Sequence, residues 1–191
     1  MRFVKALVLF AFASASIAAA PAQKLSSNRE MTAIFDSHQA DRQNVAKIDW
    51  PVVNARDSER RAQTKVLLDS GKLQTGTDFY EAAFIFQHGH ELSDYLLAHT
   101  FAVIAAARGR KDATWIAAAT LDRYLINAGQ KQIYGTQFQT PNNGKTTQEP
   151  YDRSVASDAL RAALGVPPLN EQERQRQKFE AELKDKGGSK R

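Results

Sequence analysis

Six stretches of this chain, 28–47, 56–70, 78–88, 93–108, 113–128 and 154–164, carry apolar residues at three-and-four spacing. That period lines one face of a helix, so each stretch is predicted helical. Gly71, Gly89, Gly109, Gly129 and Gly165 follow five of them, where a left-handed cap ends a helix. Alternation of the strand kind is nearly absent, apart from a short extended piece around 132–138. The fold class is therefore all-α: a compact single-domain helical bundle of five to seven helices with one long loop, 129–153. The stretch 93–108 is expected to be central, because Leu92, Leu96 and Val103 mark one apolar face and Leu97, Phe101 and Ile104 another. Alanines 105–107 and 117–119 let two helices approach closely. No fixed repeat period points to a solenoid.

The first 22 residues read as a secretory signal: Arg2 and Lys5, then an apolar run, then small residues. The apolar run is shorter than the roughly 20 residues of a spanning helix, so no stable membrane anchor is expected after cleavage. Export places the protein in the periplasm or the medium. With no cysteine, disulfides, lipid attachment at cysteine and thiol chemistry are all excluded. The division is then 1–22 signal peptide, 23–168 helical domain and 169–191 a charged C-terminal helix or tail. The formal charge is only +5, and much of the basic surplus lies in that tail, so nucleic acid is not an expected partner.

Polar residues embedded in apolar patterns mark the candidate site. On the first predicted helix Ile34, His38, Asp41, Val45 and Ile48 form one stripe, with Arg42 at its border. Asp122 and Arg123 lie among Trp115, Ile116, Leu121, Leu125 and Ile126. Neighbours on a helix point about 100° apart, so each requires a partner from elsewhere. A crosswise pairing of Asp41 and Arg42 with Asp122 and Arg123 is expected. His88 closes its helix before Gly89, and His90 follows; His99, Glu91 and Asp94 are near, but no metal-binding spacing is present and no metal or other cofactor is expected. In the long loop, Gln130, Gln132, Tyr134, Thr136 and Gln137 supply either ligand contacts or satisfaction of helix ends. The turn-rich 141–150 is expected to be mobile.

Gln87-His88, Asp122-Arg123, Gly129, Gln132 and Tyr134-Gly135-Thr136-Gln137 together resemble a bacterial domain-of-unknown-function family over about 31–138, with Asp41-Arg42 as a further acidic-arginine element. The resemblance implies an acidic residue where this chain has His38, and no established activity.

Three functional readings follow. In a binding or interaction module, Arg42, Arg123, Gln132, Tyr134 and Gln137 hold a polar ligand or envelope component. In a hydrolase-like enzyme, His88 or His38 is general base, Asp41 or Asp122 orients it, Arg123 stabilises negative charge and water is the nucleophile. In a purely structural domain, no cavity exists there. An enzyme needs a histidine opening into a pocket beside the arginines.

Overall fold

The computed structural model describes residues 25–44, 47–141 and 145–188; the expected signal peptide and Val45 lie outside them. Among the described residues the chain forms seven helices and no strand: α1 Arg29–Ala40, α2 Trp50–Asp69, α3 Gly76–Phe86, α4 Leu92–Ala107, α5 Ala113–Asn127, α6 Asp158–Ala163 and α7 Leu169–Gly188. None is long and apolar enough to cross a membrane among those residues.

Local chemistry sets the helix starts. The Asn28 side chain accepts from the backbone N–H groups of Glu30 and Met31, and Thr75 with Asp78 forms a capping box at α3. Asp49 caps α2, which carries Pro51 in its first turn and so begins earlier than the expected residue 56. Conversely α1 stops at Ala40, short of the expected 47, and Asp41 and Arg42 fall in a turn where α2 engages their side chains.

The apolar core draws Met31 and Ile34 from α1, Leu67 from α2, Phe79 and Ile85 from α3, Phe101 from α4 and Ile116 from α5. Helix α4 lies against both α3 and α5, through Ala98, Ala102 and Ala105, each fully buried. Small side chains let these axes come close. The expectation of two apolar faces on α4 is corrected: Leu92, Leu96, Leu97 and Val103 face water. Alanine, contributing little area to the periodic pattern, takes the interior.

Gly71, Gly109, Gly129 and Gly165 adopt the expected positive φ, but Gly89 does not. Gly89 is needed for space instead, since a Cβ there would collide with the Asp94 side chain. The expected extended piece 132–138 gives only isolated bridges, Gln132 with Tyr151 and Gln139 with Thr147.

Candidate functional site

Two polar clusters and one cavity account for the predicted site residues. The first cluster joins α1 to α2. Along α2 the buried stripe is Val53, Asp57, Arg60, Thr64 and Leu67, helical spacing in which the central positions are polar. Asp57, 1% exposed, accepts from Arg60 Nη1 at 2.8 Å and pairs with Arg42 Nη2. Arg60 Nη2 donates to Asp41 Oδ2 at 2.6 Å and to Ser37 Oγ at 2.8 Å, and Arg56 Nη1 donates to Asp41 Oδ1 at 2.8 Å. The Arg60 hydrogen bond holds the Asp41 carboxyl below its usual range. Burial pushes the Asp57 carboxyl up, but hydrogen bonds from Arg42 and Arg60 outweigh it and leave the pKa lowered.

The expected crosswise pairing is thereby corrected. Asp41 and Arg42 find their opposite charges on α2, fifteen to nineteen residues away, and not on α5. Asp57 and Arg60 escaped notice because their charge hides them from an apolar count; their place in a three-and-four stripe was the available signal.

His38 lies beside this cluster, 1% exposed, and neither ring nitrogen has a hydrogen-bond partner. Its ring is 5.0 Å from that of His88, which follows the Gln87 C-cap of α3. Burial, with Arg42 nearby, lowers His38 to about 4. Burial, with Arg42 and Arg123 nearby, lowers His88 to about 3. Both are therefore neutral at pH 7. His90 is exposed and His99 Nδ1 contacts the Ala117 carbonyl oxygen at 2.9 Å. Among the described residues no group of three or more metal-ligating side chains is placed to hold an ion.

The second cluster stitches the long loop to the domain. Asp122, fully buried, accepts from the backbone N–H of Ile133 at 2.8 Å, Tyr134 at 3.0 Å and Thr136 at 2.9 Å, and from Thr136 Oγ1 at 2.8 Å. Gln132, also fully buried, donates to the Gln137 and Gln148 carbonyl oxygens and accepts from Gln137 N–H at 3.0 Å. The Tyr134 carbonyl oxygen accepts from Tyr151 Oη at 3.0 Å, Arg161 Nε at 3.3 Å and Gln172 Nε2 at 2.9 Å. Gly135 sits at φ +81° where a Cβ would meet Gln172 and Tyr151. These amides satisfy backbone, as buried polar groups must, which leaves Gln132 sealed from any ligand. The expectation that 141–150 is mobile is corrected where it is described: Thr146 and Gln148 are buried, and Gln148 Nε2 donates to Gly135 O at 2.5 Å and to Gln172 Oε1 at 3.1 Å. Residues 142–144 lie outside the described residues.

Arg123 stands apart from both clusters. Its Nη1 donates to the Gln87 carbonyl oxygen at 3.2 Å, its Nε has no partner, and no carboxylate lies within ion-pair distance among the described residues. Burial lowers its pKa, the mark of a desolvated guanidinium. Together with Tyr95, Asn127, Gln137 and Gln139 it lines a cavity of about 280 Å³. Gln137 Nε2 is engaged with the Ala119 carbonyl oxygen at 3.1 Å and with Thr136 Oγ1 at 3.0 Å, which fixes the side chain at the rim. Of the expected binding residues, the structure thus gathers Arg123 and Gln137 at one cavity; Arg42 is engaged by Asp57, and Gln132 and Tyr134 belong to the loop network. Tyr95, Asn127 and Gln139 were not foreseen. No protein-family model, curated protein or solved structure matches this chain.

Proposed function

We propose that this chain is an exported member of the bacterial family it resembles, periplasmic or secreted, and that it works as a binding module for a small ligand carrying an anionic group. One observation carries the reading: the half-buried guanidinium of Arg123 opens on a cavity without a carboxylate to balance it. A desolvated cation without a counter-charge is costly, and an incoming carboxylate supplies both the charge and the hydrogen-bond acceptors that guanidinium geometry favours. The hydrolase reading has less support, because His38 is sealed and neither His38 nor His88 lines that cavity. A general base must reach the reacting group.

Titration of the protein with sodium acetate, against sodium chloride at equal ionic strength, tests the reading by amide and guanidinium NMR shifts. Acetate is expected to move the Arg123 Nε–H and the Gln137 and Gln139 signals, and Arg123→Gln to abolish the response. Equal responses to acetate and chloride, or an unchanged response in Arg123→Gln, would remove the anion site.

A further inference from the structure

A second cavity, about 390 Å³, opens beside the first, lined by Trp115, Phe138, Pro167, Gln172 and Phe179 among others. Phe138 lines both, and its ring packs edge-on against Phe179 with centroids 5.2 Å apart. Helix α5 supplies a wall to each: Trp115 to the larger, Arg123 to the smaller. Eight residues of helix separate them, about 12 Å along the axis and about 80° around it.

The two cavities differ in chemistry. In the larger, Gln172 and Thr136 are already engaged, while Gln175 and Lys178, the latter facing Glu182 at 4.0 Å, also line it. Gln172 Nε2 donates to Tyr134 O and Pro167 O, and its Oε1 accepts from Gln148 and Tyr151. Thr136 Oγ1 donates to Asp122 and accepts from Gln137. The rest of the wall is mainly aromatic, with Trp115 and Phe179 each 40% exposed to water. Such a wall gains by covering with an apolar body. The smaller cavity presents the Arg123 guanidinium, which, unlike Lys178, has no carboxylate partner among the described residues.

We infer that the two cavities form one amphiphile site, taking a monocarboxylate whose acid group meets Arg123 while its apolar body crosses Phe138 and covers Trp115 and Phe179. The inference rests on the anion reading above and adds the ligand's class. A ten-carbon chain is of the right order to reach from Arg123 to Trp115, and each methylene that leaves water strengthens binding about fourfold.

The test compares sodium decanoate, sodium acetate and 1-decanol in a Trp50→Phe background, so that fluorescence reports Trp115 alone; Trp50 is outside both cavities. Decanoate is expected to change the Trp115 emission and to bind at least 100-fold more tightly than acetate. Phe179→Ala is expected to weaken decanoate at least tenfold and to leave the acetate-induced NMR shifts at Arg123 intact; Arg123→Gln should reduce decanoate to the level of decanol. Because Trp115 and Phe179 are partly exposed, Trp115→Ala followed by calorimetry gives a second reading in a folded protein checked by circular dichroism. If acetate binds at Arg123 but decanoate binds no tighter, or if either aromatic substitution leaves decanoate unchanged, the amphiphile site is overturned and the anion site stands. Should acetate itself fail to bind, the anion reading falls, and the amphiphile site falls with it.

Discussion

The imidazoles of His38 and His88 lie 5.0 Å apart, centroid to centroid, at an interplanar angle of 43°, although they are fifty residues apart in the chain. Neither His38 nitrogen is hydrogen bonded, and burial, aided by Arg42 and Arg123, keeps the pair neutral. The contact is thus a hydrophobic-style packing of two uncharged rings at one end of the bundle.

Acid should therefore unsettle this end of the protein first. The folded-state pKa values, about 4 and about 3, lie below the ordinary 6.5, so the unfolded chain binds more protons. The stability associated with the pair is complete above pH 6.5 and is lost as pH falls through the folded values. At 1.36 kcal/mol per unit, each histidine removes about 2 kcal/mol by pH 5. His38→Leu removes one titrating group and no hydrogen bond, so it should cost little at pH 7 and reduce the drop in stability between pH 7 and pH 5. Urea unfolding at both values checks this. A drop as large in His38→Leu as in wild type would refute the assignment.

Asp57 is the residue on which the α1 and α2 junction turns. It faces two guanidiniums from inside the fold, so Asp57→Ala leaves Arg42 without a carboxylate and Arg60 with Asp41 alone, and should destabilise by about 3–5 kcal/mol. Double-mutant cycles locate the coupling. Asp57 with Arg60 should deviate from additivity by more than 0.5 kcal/mol, roughly the threshold between contacting and independent sites, whereas Asp41 with Arg123 should add. Strong coupling of Asp41 to Arg123 would contradict the pairing seen here.

The bundle was legible in the sequence because its core positions are filled by apolar residues at helical spacing; all six expected helices exist, with ends displaced by local caps such as Asp49 and by the early stop at Ala40. The charge pairing was not. Asp41, Arg42, Asp122 and Arg123 were visible as embedded charges, but the choice of partner depends on which helix packs alongside, and α2 hid its Asp57 and Arg60 in a stripe that reads as polar. The cavity is half legible: Arg123 and Gln137 were anticipated, while Tyr95 and Phe138 reach it only through the course of α4 and of the loop.

The loop depends on one carboxylate. Asp122 receives three backbone N–H groups and a hydroxyl, so Asp122→Ala orphans donors at Ile133, Tyr134 and Thr136, at about 1–3 kcal/mol for each that stays buried. The loss should be local before it is global. Amide exchange at Ile133, Tyr134 and Thr136 is expected to accelerate at least tenfold relative to Ile85 and Ile116 in the core, measured by hydrogen exchange and NMR. Uniform acceleration across all helices would mean that the network does not act as a separate fastening.

Glu81 sets an opposing limit. It is 5% exposed on α3, its carboxylate accepts from Thr32 Oγ1 at 3.1 and 3.2 Å, and burial raises its pKa to about 7. Here the folded value lies above the unfolded 4.5, so the associated stability is complete below pH 4.5 and is lost as pH rises through about 7. Over pH 5–7 this runs against the histidines and conceals part of their effect in the wild-type protein. Glu81→Gln keeps an acceptor for Thr32 and removes the charge, so it should stabilise by about 3 kcal/mol at pH 8 and by little at pH 4.5. In that variant the histidine loss between pH 7 and pH 5 should stand out more steeply than in wild type. Thermal unfolding of both proteins across pH 4.5–8 decides it: a constant difference between them would show that its buried environment does not shift the Glu81 carboxyl.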